Sequence, residues 1–346
     1  MKKQALSIYS CTLSPFGLAF LNTVVRHPHL EIREVVLASP ELWWRFHCRL
    51  KKLAVQPVPA KVQKRFSRQM GTLAQTLNKY QPSAALRIIN TVHQEEEYAR
   101  LRLQAFALCG GFPELFQRPL LNAPQQGMVN FHPSYLPRCR GAHPIYWTIA
   151  KRESFGGVSS HFMTTDIDAG PLIYREKIEF DPATITYAEL FNKVEQHLPQ
   201  TISATLEQLF AGRTIPVDQI KETPSYNRND QEEDHRVDWQ QDDFVAVSAK
   251  IRAGHAFMQL GKGERLGLEP PIRIKEKDTT ESGFQTMDYV KFSCGLLPFQ
   301  FSLWERLLLR LLRSFPNKRL ALLRQIGQQK LKAYYLLSNK SSSSAS

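Results

Sequence analysis

At 346 residues, 42% of them hydrophobic and 22% charged, the chain is long enough for two domains and apolar enough to bury a sizeable core. Its five cysteines form no CxxC pair and no repeated spacing, which argues against a disulfide framework and against a zinc site. With no secretory pattern at the N-terminus and no apolar run long enough to span a bilayer, a cytoplasmic protein without a transmembrane segment is expected.

The net charge of +13 is unevenly placed. Residues 41–70 hold eight Lys and Arg against Glu41 alone, and residues 301–340 hold nine against Glu305 alone. Together these windows exceed the net charge, so the rest of the chain is slightly acidic. Clustered cations point to a phosphate-bearing partner, nucleic acid among them, or simply to a solvated basic surface.

In chain order, short β-branched runs alternate with helical patterns, which predicts an α/β fold with a doubly wound, mostly parallel sheet. Strands are expected at Leu6–Cys11, Ile32–Ala38, Ala84–Ile89, Ala105–Cys109, Met128–His132, Val158–Met163 and Leu172–Phe180. Helices are expected over 15–27, 60–79, 113–121, 143–152 and 187–211, the last opened by a capping box from Thr186 to Glu189. A larger first domain is expected over 1–212. Residues 213–235, with Pro216, Pro224 and an acidic run, read as a linker. A smaller C-terminal domain follows over 236–340, with turns and short strands in its middle and basic amphipathic helices at its end. The serine-rich tail, 341–346, is expected to be disordered.

The most informative stretch is Gly127-Met-Val-Asn-Phe-His-Pro-Ser-Tyr-Leu-Pro-Arg-Cys-Arg-Gly141. A strand ended by Pro133 puts Asn130 and His132 on one face at the C-terminal edge of the sheet, where α/β folds bind ligands. An imidazole beside a carboxamide can move a proton from an attacking amine and donate to a developing oxyanion. Downstream, Gly157-Val-Ser-Ser-His161 leads through an acidic turn to Asp168, closed by Gly170-Pro171. A carboxylate brought near His132 would stabilise its imidazolium. Nothing in the spacing suggests a metal. His161 reads as structural, Asp166 as a turn cap, and Ser134 as loop hydrogen bonding.

These blocks resemble the formyltransferase family, whose members carry N-x-H-x-S-L-L-P, then G-V-[ST]-x-H and a closing D-x-G. The chain has Asn130, His132, Ser134, Leu136, Pro137, Gly141, Gly157, Val158, His161 and Asp168 in that order. The resemblance implies the formyltransferase fold and transfer of a formyl group from 10-formyltetrahydrofolate to a primary amine, with Asn130, His132 and Asp168 as the catalytic residues. It places Gly111, Phe112, Leu115, Phe116 and Thr165 at the folate pocket. The chain departs from the pattern at Ser10-Cys-Thr-Leu-Ser-Pro-Phe-Gly17, where relatives have a Gly-containing turn, and at Glu114, basic in some relatives.

Arg236-Val-Asp-Trp239 is similar to the opening of the second domain in methionyl-tRNA and amino-sugar formyltransferases. Two acceptors stay open. Lys51-Lys52 and the prolines after them echo a tRNA-binding loop, which favours methionyl-tRNA. Arg140, His143 and Trp147, beside the catalytic loop, suit a small amine such as a nucleotide-linked amino sugar. The same trio also serves hydrolases that release formate from formyltetrahydrofolate, and a non-catalytic relative that binds RNA or a membrane is the remaining alternative.

Overall fold

The structure is a computed structural model that describes residues 5–50, 54–211, 216–219, 224–228, 230–238, 241–242, 244–261, 264–269 and 291–293. Lys51, Lys52, the basic window 301–340 and the tail 341–346 lie outside the described residues.

The first compact unit takes in Met1–Thr148, Ser154–Phe180 and Ala188–Asp230. It is built on a seven-stranded sheet: β1 (Ala5–Ser10), β2 (Glu31–Ala38), β3 (Ala85–Ile89), β4 (Ala107–Gly110), β5 (Met128–His132), β7 (Phe155–Phe162) and β8 (Leu172–Glu179), in the order β3-β2-β1-β4-β5-β7-β8. β1 to β5 pair in parallel, while β7 and β8 join antiparallel. The chain winds outward from β1 to β3, then returns to β4 and winds the other way. Its switch point therefore lies between β1 and β4, whose C-terminal ends border the crevice that such a reversal creates, with β5 next to β4.

Local chemistry explains the helices. In α1 (Pro15–Val24), Pro15 occupies the first turn and Ser14 caps it by accepting from the Gly17 N–H at 3.3 Å. α2 (Pro40–Leu50) starts the same way, with the Ser39 hydroxyl accepting from Leu42 N at 3.0 Å. α3 (Ala60–Tyr80) buries Val62, Phe66, Leu73 and Leu77, and Val62 and Phe66 join Cys11, Leu13, Ala38 and Leu42 in one apolar cluster. α4 (Glu95–Leu101) opens on three glutamates, favourable at the positive end of a helix dipole. The last, Glu97, is buried and accepts from the Tyr9 hydroxyl.

The seven expected strands appear, with β4 starting two residues later and β7 starting three residues earlier than expected. The helix expected over 113–121 does not form. That segment is irregular apart from a 3-10 turn at Leu120–Asn122, because Pro113 and Pro119 remove donors and restrict the residues before them. The helix expected over 143–152 is the shorter α5 (Pro144–Ala150), and α6 (Tyr187–Phe210) lies close to its expected span despite Pro199 within it. α2 and α4 were not expected.

The stretch 213–235 is not an extended linker where it is described. Val217 pairs with Leu172 through two backbone hydrogen bonds of 2.9 Å, and β9 (Tyr226–Asn227) pairs in parallel with the short β6 (Arg140–Gly141). Its described residues up to Asp230, 216–219, 224–228 and 230, pack as a strap on the first unit.

The second unit takes in Ile149–Glu153, Asp181–Tyr187 and the chain from Gln231. Its described part has α7 (Glu232–His235), α8 (Phe244–Ala253) and an antiparallel sheet of β10 (Phe257–Gly261), β11 (Glu264–Glu269) and β12 (Lys291–Ser293). Arg252 is 7% exposed, and its guanidinium donates to the Pro182 and Ile185 carbonyls at 2.9 and 3.0 Å, which offsets the cost of burying the charge.

Candidate active site

Residues two apart on a strand project from one face, so β5 presents Asn130 and His132 together just before Pro133 ends it. The antiparallel register sets Asn130 directly opposite His161 on β7. The turn after β7 brings Asp168 into the same place, at φ 50°.

Asp168 is the hub. Its Oδ1 accepts from Asn130 Nδ2 at 3.2 Å and lies 3.3 Å from His161 Nε2. Its Oδ2 accepts from the Gly141 N–H at 2.9 Å and lies 3.5 Å from His132 Nδ1. Gly141 has to be glycine: its φ is 90°, and a Cβ would stand 2.2 Å from the Asn227 carbonyl oxygen. His132 Nε2 donates to the Cys139 carbonyl at 2.9 Å, and His161 Nδ1 donates to the Phe162 carbonyl at 2.8 Å. A carbonyl and a carboxylate are both acceptors, so each ring nitrogen of His132 faces a group to which an N–H can donate.

The side chains of His132, Asp168 and His161 are only 7%, 11% and 2% exposed, so their interactions are weakly screened. Burial by itself would raise the Asp168 pKa. The charge of His132, the hydrogen bond from His161 and the Gly141 N–H outweigh it and hold the carboxyl well below the usual carboxylate range.

The strap holds the loops that carry this cluster. Ser225 Oγ accepts from Cys139 N at 2.8 Å, and the Ser225 carbonyl accepts from Arg140 N at 2.9 Å. Gln219, 4% exposed, donates from Nε2 to the Asp168 and Gly170 carbonyls at 3.0 and 2.6 Å. Its Oε1 accepts from Arg140 Nε at 3.0 Å.

Three expected acceptor contacts are thus already engaged within the fold. Arg140 is bound to Gln219, His143 Nδ1 lies 2.9 Å from Asp230 Oδ1, and the Trp147 indole donates to the Arg228 carbonyl at 3.0 Å. In this structure His143 and Trp147 anchor the strap. His161, read from the sequence as structural, belongs to the cluster; its position opposite Asn130 in neighbouring strands was the available signal. Gln219 had no local signal at all.

At the loop after β4, Gly111 (φ 66°) sits where a Cβ would meet Gly17 N at 2.8 Å. Phe112 is half-buried and Leu115 is 59% exposed. Phe116 is 4% exposed and packs edge-on against Tyr9 with ring centroids 5.3 Å apart, so it supports the loop from beneath rather than lining a pocket. Glu114 accepts from the Thr91 hydroxyl and Val92 N at 2.9 and 2.7 Å, which ties the loop to the end of β3. Thr165 is exposed on the turn before Asp168. Among the described residues no group of three or more His, Cys, Asp or Glu could hold a metal ion, and no helix is long and apolar enough to cross a membrane.

Residues 54–206 match the formyl transferase family. The methionyl-tRNA formyltransferase of Geobacillus thermodenitrificans is 30% identical over 168 residues, covering 47% of this chain and 51% of the relative. That of Geobacillus sp. (strain WCH70) is 28% identical over 150 residues, covering 43% and 47%. The chain thus spans about half the length of the curated relatives it matches. Among solved structures, a sugar N-formyltransferase from Shewanella sp. FDAARGOS_354 aligns with a TM-score of 0.54 at 16% identity, covering 79% of this chain and 99% of that one. A 4-N formyltransferase from Francisella tularensis aligns with a TM-score of 0.53 at 13% identity, with the same coverages. At such identities the structural likeness bears on the fold, while the match of residues 54–206 to the formyl transferase family takes in the strands and turns that carry Asn130, His132 and Asp168.

Proposed function

We propose that this protein transfers a formyl group from 10-formyltetrahydrofolate to a primary amine. The observation that carries this reading is the convergence of Asn130 and His132 on the single carboxylate of Asp168, within 3.2 and 3.5 Å. The donor's flat ring system suits the loop after β4, where Phe112 and the exposed Leu115 offer apolar surface beside the Gly110-Gly111 backbone.

The acceptor amine attacks the formyl carbon, forming a C–N bond as the carbonyl electron pair moves onto oxygen. Asn130 Nδ2 lies 3.2 Å from Asp168 Oδ1 and 3.3 Å from His161 Nε2, and turning one of its two hydrogens from these partners to the oxyanion stabilises the developing charge. The amine's proton is taken up on His132 Nε2 once that nitrogen leaves the Cys139 carbonyl with the ring proton on Nδ1, facing Asp168; on collapse the bond from carbon to folate N10 breaks and His132 passes that proton to N10. Asp168 fixes the ring and stabilises its charge throughout. The products are a formamide and tetrahydrofolate.

For the acceptor we favour an amine carried on tRNA. Lys61, Lys64, Arg65 and Arg68 recur at i, i+3, i+4 and i+7 on α3 and are all exposed, forming one cationic stripe opposite buried Val62 and Phe66. The sequence relatives named above are methionyl-tRNA formyltransferases. A phosphate backbone fits such a stripe, whereas a small amino sugar needs no surface of that extent. An assay with 10-formyltetrahydrofolate comparing methionyl-tRNA, nucleotide-linked amino sugars and water as acceptors tests both statements. Formate release without any formamide product would replace transfer by hydrolysis.

A further inference from the structure

We infer that Gln219 is a positioning residue for Asp168, and through it for His132, in the proposed formyl transfer. Gln219 lies beyond the family match at 54–206, in a stretch whose composition reads as a linker. Yet its side chain is 4% exposed and makes three hydrogen bonds that join both loops carrying the site.

The geometry explains why a carboxamide is needed. The Nε2 group gives one hydrogen to the Asp168 carbonyl at 3.0 Å and one to the Gly170 carbonyl at 2.6 Å. The first acceptor belongs to Asp168, itself held at positive φ, a conformation that costs a non-glycine residue backbone strain, and the second lies two residues on, so the turn is held at both ends. A Cβ on Gly170 itself would stand 1.9 Å from the Phe162 carbonyl oxygen, so the turn already approaches β7 as closely as a glycine allows. The Oε1 of Gln219 meanwhile accepts from Arg140 Nε at 3.0 Å, one residue before the Gly141 N–H that holds Asp168 Oδ2. Gln219 thus fixes the backbone of Asp168 on one side and the donor to its carboxylate on the other. Glutamate would keep an acceptor for Arg140 but place an oxygen against two carbonyls. Asparagine is one carbon shorter and cannot bridge the two loops.

The test uses the full chain with Gln219→Ala and the near-isosteric Gln219→Glu. Both should lower kcat roughly 10- to 100-fold, the scale on which small misplacements of reacting groups act, with the KM for 10-formyltetrahydrofolate unchanged. In both, the ring nitrogen resonances of His132, assigned by their loss in His132→Gln, should move while those of His197 on α6 stay in place. Should the alanine variant fail to fold, the glutamate variant decides. Parental kcat in Gln219→Glu overturns the inference, as does a rise in KM alone, or a lost kcat with His132 resonances unmoved. If the parent protein forms no formamide with any acceptor, it is the functional reading that fails, and the resonances alone judge Gln219.

Discussion

His161 Nε2 stands 3.3 Å from Asp168 Oδ1, on the carboxylate oxygen opposite the one that His132 faces. One carboxylate is thereby gripped by two imidazoles, and the ring of His161 is only 2% exposed. His161→Leu keeps the volume and removes the grip. It should cost roughly 10- to 100-fold in kcat, whereas His161→Gln, which retains a donor, should cost less. A folded leucine variant with parental turnover would remove His161 from the site.

His132→Ala and Asp168→Asn should each lower formyl transfer by about 100-fold or more, the usual cost of deleting a general base or an oxyanion donor. Circular dichroism should show both folded, since the core of the sheet is apolar and independent of them. Turnover near that of the parent in either folded variant would sink the catalytic assignment.

Acid should weaken the parent more than Asp168→Asn. Although burial opposes it, the His132 charge and the hydrogen bonds to Asp168 hold its carboxyl below the usual range in the folded protein. A depressed folded pKa adds stability that is fully present above the unfolded value, about 4, and is lost as pH falls toward the folded one. The urea midpoints of parent and variant should therefore differ most above about pH 5 and converge as pH drops below about 4. A constant difference across that interval would mean that Asp168 carries no such depressed pKa.

The strands were legible because each is a run of β-branched residues bounded by turn signals, and the site because Asn130, His132 and Asp168 sit at strand ends in short, ordered blocks. What the sequence concealed was settled by tertiary contact. Glu97 looks like part of an exposed acidic run, but the Tyr9 hydroxyl and Arg87 take it into the interior. Pro113 and Pro119 frame a segment whose apolar spacing mimics a helix, and the prolines prevail. Gln219 lies 51 residues from Asp168 in sequence, and no local pattern announces a contact of that range. His161 was within reach, since pairing β5 with β7 in register puts it opposite Asn130.

A folate analogue should stabilise the protein, by roughly 2.7 kcal/mol at about 100 times its dissociation constant. Gly111→Ala should abolish most of that shift. Its φ of 66° disfavours alanine, and the added carbon would push the loop off Gly17 N, 2.8 Å away. Thermal melts of both proteins with and without analogue check this. An undiminished shift in the alanine variant would move the donor site away from the loop after β4.

The cationic stripe on α3 makes the acceptor question a matter of salt. Lys61, Lys64, Arg65 and Arg68 are exposed along one face, and among the described residues none of them is ion-paired. Each phosphate they contact on tRNA would release a counterion, so the logarithm of affinity should fall with the logarithm of salt by roughly 0.9 per contact on duplex RNA. Lys64→Ala with Arg68→Ala should therefore reduce that slope by about 2 and weaken tRNA binding at low salt. The pair flanks buried Phe66 without sharing its face, so the fold and the folate-analogue shift should stay as in the parent. Lys51→Ala with Lys52→Ala tests the sequence neighbours of the stripe by the same measurement. An amino-sugar acceptor, with one or two charges, would give a shallow salt dependence that none of these variants alters. Parental slope and parental transfer to methionyl-tRNA in the α3 double variant, at every salt concentration, would rule the stripe out as the tRNA contact.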